Sequence, residues 1–232
     1  MELFPVNVAL TLTTLGAPMR TAPTSSRTLL RRRTLAAALV ALPAYWVGAR
    51  AQVPALLRAT PSQTEGPYYP VALPADADPD LLRNGALRGY ERGQPVWLEG
   101  TVTDLNGQPL QGAWVEIWQC DEAGHYHHPG DGDRADPAFQ GFGRVKLGAD
   151  GRYRFRTIKP APYSGRTPHI HMKVRLGQRE QLTTQLYVEG DPGNTSDYLW
   201  RRLGADERQA LTRPFVMGSD GLRVDFPVVI AT

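Results

Sequence analysis

The five histidines of the 232-residue chain fall in two short clusters, and a tyrosine accompanies each cluster. The first cluster spans residues 125–128 and includes Tyr126, whereas the second pairs His169 with His171 shortly after Tyr163. Side chains at positions i and i+2 of a β-strand point to the same face, so these two imidazoles would be close enough to chelate one ion. An exposed pair of histidines on a sheet face is the alternative, and the spacing alone leaves both interpretations open.

Imidazole does not identify the metal, but the neighbouring residue types narrow the choice. Cys120 is the only cysteine, which excludes iron–sulfur clusters and zinc sites that need several thiolates. The stretch after the first cluster contains Asp131, Asp133 and Asp136, and two histidines with one carboxylate are typical of Fe(II) sites. Tyrosine phenolates are hard anionic donors, so two phenolates and two imidazoles would instead hold Fe(III), with hydroxide as a fifth ligand. Both iron sites stay open at this level.

Short alternating segments separated by turn residues predict that β-strands hold these candidate ligands. Residues 96–104 and 113–119 form two such segments, with an Asn-Gly turn signal at 106–107 between them. In the second segment Val115 and Ile117 share one face, and Trp114, Glu116 and Trp118 share the other. The same texture recurs at residues 153–158, 169–174, 182–188 and 222–230.

This pattern predicts an all-β fold, specifically an antiparallel β-sandwich with little helix over residues 96–232. Residues 52–95 are rich in proline and poor in periodicity, so we expect an extended N-terminal arm there. Within the arm, residues 81–87 suggest at most one turn of helix. The only helical candidate in the sandwich is 198–211, where leucines recur among arginine and glutamate.

The basic character of the chain belongs to its N-terminus. The formal net charge is +3, but six of the 26 basic residues and only one of the 23 acidic residues lie in residues 1–51. The rest of the chain is therefore slightly acidic, which argues against nucleic acid as a partner.

Residues 1–51 are typical of an export signal. Three arginines at 31–33 precede an uncharged apolar stretch at 34–49, and Ala-Arg-Ala at 49–51 provides the small residues of a cleavage site. The paired arginines favour the twin-arginine route, so we expect an exported protein, periplasmic or extracellular, with no membrane contact after leader removal. An uncleaved anchor is the alternative, and Met19 is a second candidate start.

Several stretches of the mature chain resemble the intradiol ring-cleavage dioxygenases, in particular the protocatechuate 3,4-dioxygenase branch. The matching stretches occur in the same order as in that family and together make the resemblance specific. They are residues 63–70, 112–119, 124–126, 139–144, 153–160, 162–163, 166–171 and 184–187.

This resemblance implies a non-haem Fe(III) site in a prealbumin-like β-sandwich, which would make residues 96–232 the catalytic domain. It implies Tyr126 as the equatorial phenolate ligand, Tyr163 as the axial one, and His169 and His171 as the remaining protein ligands. The other histidines, at 125, 127 and 128, would then be loop residues or neighbours of the ligands.

The same resemblance assigns catalytic roles beside the metal. Arg166 is similar to the active-site arginine of the family, Gln185 to the polar residue next to it, and Tyr163 would also take part in catalysis. Residues 64–69 resemble the segment that lines the substrate pocket. Only Ser164 and Gly165 separate Tyr163 from Arg166, a shorter loop than in well-known protocatechuate enzymes, so the substrate mouth should differ.

The function implied is cleavage of catechol-type aromatic rings between the two hydroxyls by O₂, which gives muconate-type dicarboxylates. Its partners would be the aromatic substrate and O₂, and a homo-oligomer is left open. The alternatives are a non-enzymatic prealbumin-like binding module, which lacks the tyrosine and histidine set, and a periplasmic zinc or copper carrier that uses all five histidines.

Overall fold

The computed structural model describes residues 56–231. The export signal predicted for residues 1–51 and the first four residues of the predicted arm, 52–55, lie outside the described residues. Within the described part, no helix is both long and apolar enough to cross a membrane.

The described chain contains ten strands, one short α-helix and three 3₁₀ turns, so the predicted predominance of strands is confirmed. The helix, α1, spans Ala205–Leu211. The strands are β1 (Pro95–Asp104), β2 (Trp114–Trp118), β3 (Phe142–Lys146), β4 (Arg152–Ile158), β5 (His169–Leu176), β6 (Arg179–Val188), β7 (Thr212–Arg213), β8 (Val216–Gly218), β9 (Gly221–Asp225) and β10 (Val228–Ile230).

The strands are arranged in two five-stranded sheets. In one sheet β1 pairs with β4 on one side and with β9 and β10 on the other, and β8 extends from β9. The other has the order β3-β2-β5-β6-β7. Most pairs are antiparallel as predicted, but β1 runs parallel to β9 and β10, and β6 runs parallel to β7. The parallel pairs arise because sequence-distant C-terminal segments return alongside earlier strands.

The main core lies between the sheets and confirms the predicted face of β2. Val115 and Ile117 are fully buried in it with Leu98 and Phe155 from the opposite sheet. A smaller apolar cluster on the other side of β2 is formed by Trp118, Cys120, Tyr126, Phe142 and Ala161. Cys120 is a free, buried thiol in this cluster.

Three local predictions need correction. The predicted strand over 222–230 is interrupted between β9 and β10, where Pro227 has no N–H for a sheet hydrogen bond. The predicted helix over 198–211 is shorter, with a 3₁₀ turn at Trp200–Arg202 before α1. Residues 81–87 form turns and no helix.

Strand β3 is missing from the sequence prediction because of Gly143, a residue that disfavours strands. A side chain at this glycine would come within 2.6 Å of the Asp78 carbonyl oxygen, so the close approach of the arm requires glycine.

The described part of the N-terminal arm lies along the sandwich, and several turns follow residue 66. Its backbone amides at Leu57, Thr60 and Gln63 donate to carbonyl oxygens of Leu105, Val229 and Thr183. These bonds bring residues 63–70 of the arm against the sheet that contains β5 and β6.

Candidate metal centre

Strand β5 brings the two predicted histidine ligands together. His169 and His171 lie on one face of the strand, with Ile170 and Met172 buried in the core behind them. The two imidazoles are almost fully buried, and their Nε2 atoms are 3.1 Å apart. The expectation that positions i and i+2 would present both rings to one point is therefore met.

Both imidazoles are held as neutral rings. The Nδ1 atom of His169 lies 2.7 Å from the Thr167 carbonyl oxygen, so Nδ1 carries the proton and Nε2 presents a lone pair. Burial, with the charge of Arg166, lowers the pKa of His169 to about 3. Burial also lowers the pKa of His171 well below its ordinary value. A neutral imidazole is the form that binds metals.

A tight turn delivers Tyr163 to the same point. Residues Ser164 and Gly165 have φ angles of 43° and 75°, and the Arg166 amide donates to the Tyr163 carbonyl oxygen at 2.7 Å. Two consecutive left-handed residues are typical of a two-residue hairpin turn. The Tyr163 Oη lies 3.5 Å from His169 Nε2, and the ring is only half-buried.

Tyr126 approaches from the loop after β2 and is much more deeply buried. Its backbone amide donates to the Asp131 carboxylate at 2.9 Å, and its ring packs edge-to-face on Tyr163. Its phenol oxygen is buried without a hydrogen-bond partner in the described part of the chain. Burial, reinforced by the neighbouring Tyr163, raises the pKa of Tyr126 well above the ordinary value. A phenolate would be stable here only beside a positive charge.

These four side chains suit a metal ion. Two neutral imidazole nitrogens face each other, one phenol oxygen lies beside them, and a second, buried phenol oxygen has no protein donor. An unpartnered buried polar atom costs free energy, and a cation bound by both phenol oxygens would remove that cost. Two nitrogen and two phenol oxygen donors match the predicted donor set for Fe(III).

Arg166 lies next to this group and is fixed by a buried polar network. Its Nη2 donates to Gln185 Oε1 at 2.7 Å, and its Nε donates to Asp197 Oδ2 at 2.7 Å. Gln185 in turn donates to the Thr64 carbonyl oxygen at 2.9 Å, which connects the network to the arm. The two predicted catalytic residues Arg166 and Gln185 are therefore in direct contact.

Residues 66–68 of the arm lie next to His171 and Tyr126. Gly66 has a φ of 76°, and a side chain there would come within 3.4 Å of His171 Cε1. Tyr68 stacks on Tyr126 with ring centroids 4.7 Å apart. On the other side, Trp118 stacks almost parallel on His171, at 4.7 Å and 9°. The predicted pocket-lining segment thus borders the candidate ligands.

Comparison with known proteins agrees with this geometry. A family model for dioxygenases matches residues 64–220. The protocatechuate 3,4-dioxygenase beta chain of Burkholderia cepacia is 39% identical over 182 residues, which cover 70% of this chain and 77% of that protein. The chain belongs to the intradiol ring-cleavage dioxygenase family.

Other members of the intradiol family share part of their length with this chain. The hydroxyquinol 1,2-dioxygenase of Corynebacterium glutamicum is 34% identical over 145 residues, and the match covers 55% of this chain and 45% of that protein. Thus the chain spans about half the length of this relative.

A solved dioxygenase domain from Streptomyces sp. SirexAA-E, part of a dioxygenase–carbohydrate-binding fusion, has 33% identity and a TM-score of 0.58. The match covers 75% of this chain and 99% of that domain. The all-β sandwich expected from the intradiol resemblance is confirmed.

The first histidine cluster does not join the site. His127 Nε2 bonds the Phe139 carbonyl oxygen, His128 Nδ1 accepts from the Gly130 amide, and His125 lies 3.5 Å from the Asp131 carboxylate. This separation does not favour a carrier that would use all five histidines. It agrees with the family resemblance, in which these residues are not ligands.

The loop aspartates also serve the backbone. Asp131 accepts from the Tyr126 amide, and Asp136 accepts from the Ala138 amide at 3.0 Å. The backbone amide of Asp133 donates to the His128 carbonyl oxygen. None of these contacts brings a carboxylate to the paired histidines, so the geometry favours the tyrosine and histidine set over the two-His, one-carboxylate site.

Sequence reasoning missed two charged residues of this site, Lys173 and Asp197. Lys173 is buried on the same β5 face as the histidines, forms an ion pair with Glu65 of the arm, and lies 3.7 Å from the Tyr69 ring centroid. Its position two residues after His171 in an alternating strand is a signal that could have found it. Asp197 lies in an irregular loop, where no periodicity indicates burial.

Proposed function

We propose that the protein is a non-haem Fe(III) dioxygenase that cleaves catechol-type rings between the two hydroxyls with O₂, giving muconate-type dicarboxylates. The observation that carries this proposal is the convergence of two phenols and two neutral imidazoles beside a buried arginine. Membership of the intradiol family supports it, and so do the names of relatives such as catechol 1,2-dioxygenase of Acinetobacter lwoffii.

Tyr126, Tyr163, His169 and His171 would hold the iron. A ferric ion bound there would stabilise both phenolates and the doubly deprotonated form of a catechol, and would make the aromatic ring reactive towards O₂. The chain's contribution is to keep both imidazoles neutral, to exclude water by burial, and to orient the substrate.

The two tyrosines differ in their freedom to move. Tyr126 is buried between Tyr68 and Tyr163, so it stays in place during the reaction. Tyr163 is half-buried on a two-residue turn, so its ring can rotate away and its phenol oxygen can accept one of the substrate's two protons. A catechol dianion carries two negative charges, so the net charge of the site would stay nearly constant if Tyr163 and a hydroxide were each released by taking up one of the substrate's two protons.

Arg166 supplies a fixed positive charge beside the reacting ring. Its guanidinium would stabilise the negative charge that develops on the ring carbon and on the new carbonyl oxygen. A preorganised donor of this kind contributes roughly 3–4 kcal/mol to transition-state stabilisation. Gln185 holds Arg166 and the arm at the correct separation through its two amide hydrogen bonds.

The short turn between Tyr163 and Arg166 favours a wide entrance to the substrate pocket. A longer loop at this place would narrow the entrance, whereas Ser164 and Gly165 are both exposed. We therefore expect catechols with a small or carboxyl substituent to be accepted, without a strict requirement for the carboxylate.

The experiment is incubation of iron-replete protein with a panel of catechols under ¹⁸O₂, followed by product absorbance and mass spectrometry. We expect muconate-type products with one labelled oxygen in each new carboxyl group, without added reductant, flavin or nicotinamide. A yellow semialdehyde would indicate cleavage beside the diol and therefore an Fe(II) site. A colourless, iron-free protein that binds small molecules without turnover would favour the binding module.

Matched histidine variants test the ligand set. His171→Ala should lose bound iron and the visible tyrosinate absorption, because one of the two facing nitrogens is removed. His127→Gln is the control, since glutamine can still bond the Phe139 carbonyl oxygen and His127 lies outside the donor group. Equal iron contents in the two variants would contradict the assignment.

A further inference from the structure

Asp197 is a fully buried carboxylate that lies against Arg166 and outside the set of residues that the family resemblance assigns. Its side chain has no exposed surface, and Arg166 is only 8% exposed. One carboxylate oxygen, Oδ2, accepts from Arg166 Nε at 2.7 Å and from the Thr167 amide at 2.9 Å. The other oxygen accepts from the Leu199 and Trp200 amides, both at 2.9 Å. All the strong acceptor directions of the carboxylate are therefore used.

These bonds join the loop after β6 to the turn that contains Arg166. The loop is itself ordered by hydrogen bonds, since Asp191 caps the 3₁₀ turn at Pro192–Thr195 and Asn194 donates to the Val188 carbonyl oxygen at 2.8 Å. Asp197 thus reaches Arg166 from a rigid support. A buried ion pair that is this well hydrogen-bonded is costly to break from one side, because the remaining charge is left without a partner.

The contacts fix the plane of the guanidinium and leave one nitrogen for another ligand. Nε is bound to Asp197, and Nη2 is bound to Gln185 with Tyr187 Oη at 3.4 Å. Among the described residues, Nη1 makes no such bond. Because the guanidinium is planar, two fixed nitrogens determine where the third one points. The ring of Tyr198 lies across the guanidinium at 5.5 Å and limits its movement further.

We propose that Asp197 is the positioning residue of Arg166, and that it aims the Nη1 donor of Arg166 at the substrate. This inference rests on the proposed function, since it concerns how Arg166 meets the aromatic substrate. In the described part of the chain the Asp197 carboxylate bonds Arg166 and three backbone amides and none of the four candidate ligands, so it would act through Arg166. A purely structural role, in which Asp197 only closes the turn at Leu199 and Trp200, makes a different prediction.

A double-mutant cycle separates the two roles. Asp197→Asn and Arg166→Gln are made singly and together, and each iron-loaded protein is titrated with a nitrocatechol under argon while the visible spectrum is followed. Binding without O₂ does not depend on turnover, and affinities are expressed per bound iron. In the protein that retains Arg166, we expect Asp197→Asn to weaken nitrocatechol binding and to lower kcat/KM for catechol cleavage, each by about 10- to 100-fold, as for other residues that orient a functional group. In the Arg166→Gln background it should have little further effect.

The proposal would be overturned if Asp197→Asn weakened nitrocatechol binding equally with Arg166 present and with Arg166→Gln. In that case Asp197 would only close the turn, a role that does not depend on Arg166. Asp206→Asn is the control for loss of an acidic charge, since Asp206 forms an exposed ion pair with Arg58. If Asp197→Asn does not fold, Asp197→Glu replaces it in the same cycle, because it keeps the charge and displaces the carboxylate. Its loss of affinity should also vanish with Arg166→Gln, and equal losses again overturn the proposal.

Failure of the proposed function gives a different result. If nitrocatechol binds but none of the proteins cleaves a catechol, the ring-cleavage proposal fails, and the binding cycle still decides the role of Asp197. Absence of nitrocatechol binding to the parent protein would contradict both.

Discussion

At the scale of single residues, the four candidate iron ligands differ in how deeply they are buried, and the sequence does not show this difference. His169, His171 and Tyr126 are each at most 2% exposed, whereas Tyr163 is half-buried. A buried donor is held in place by its neighbours, and a half-exposed one can rotate. The sequence identifies which residue types can bind iron, but this difference in mobility comes only from the packing around them.

We therefore expect the two tyrosine variants to behave differently. Tyr126→Phe should lose most bound iron, because in the proposed site its buried, unpartnered phenol oxygen would stay bound to the metal throughout. Tyr163→Phe should retain iron, shift the visible band and lower kcat by about 100-fold, a typical effect of losing a proton acceptor. Iron content by elemental analysis and single-turnover kinetics measure the two effects. The same iron content and activity in both variants would show that the division of roles is wrong.

At the scale of elements, regular alternation made most strands predictable. Strand β5 is the best example, because the pattern that identified it also placed both histidines on one face. The sequence did not reveal β3, where Gly143 serves a contact with the arm, or the parallel pairing of β9 and β10 with β1. These features depend on contacts between distant segments, which local periodicity does not record.

The candidate site was likewise only partly predictable from the sequence. The paired histidines and the family motifs led to the four donors, Arg166 and Gln185, all of which lie together. Lys173 and Asp197 escaped notice because their meaning depends on partners far along the chain. Lys173 pairs with Glu65, and Asp197 pairs with Arg166. A buried charge is recognisable only when its opposite charge is known to be near.

The turn between Tyr163 and Arg166 provides a test at this scale. Gly165 has a φ of 75° and open space around it, so Gly165→Ala adds backbone strain without a steric clash. We expect a loss of roughly 1–2 kcal/mol in the free energy of unfolding, because side chains disfavour the left-handed region. Substrate affinity should fall as well, since the turn sets the positions of Tyr163 and Arg166. Chemical denaturation and substrate titration measure the two quantities.

Gly177, in the turn between β5 and β6, is a matched control for this variant. It has a φ of 60° and equally open surroundings, but it lies at the far end of β5 from the histidines. Gly177→Ala should lose a similar amount of stability and keep its affinity for substrate. If both variants lose substrate affinity to the same extent, the turn at 164–165 has no special part in shaping the site.

At the scale of the whole molecule, charge distinguishes the predicted leader from the rest of the chain. The excess of arginine lies in residues 1–51, and the first described backbone bond of the arm to the sandwich is made by Leu57. We propose that residues 1–51 direct export by the twin-arginine route and are then removed, so that the mature protein begins near Gln52. The family relationship does not bear on this proposal, which rests on the arginine pair, the apolar stretch and the Ala-Arg-Ala sequence.

Removal of residues 1–51 leaves every described contact of the arm with the sandwich in place. We expect a protein that begins at Gln52 to bind iron, because all four candidate ligands lie within residues 56–231. In cells that secrete the full chain, N-terminal sequencing of the extracytoplasmic product should find Gln52 or a close neighbour. Replacing Arg31 and Arg32 by lysine should abolish export by this route, while the cytoplasmic protein still folds and binds iron. Retention of residues 34–49 in a soluble exported product would disprove cleavage, and export that is unaffected by the lysine replacements would disprove the twin-arginine route.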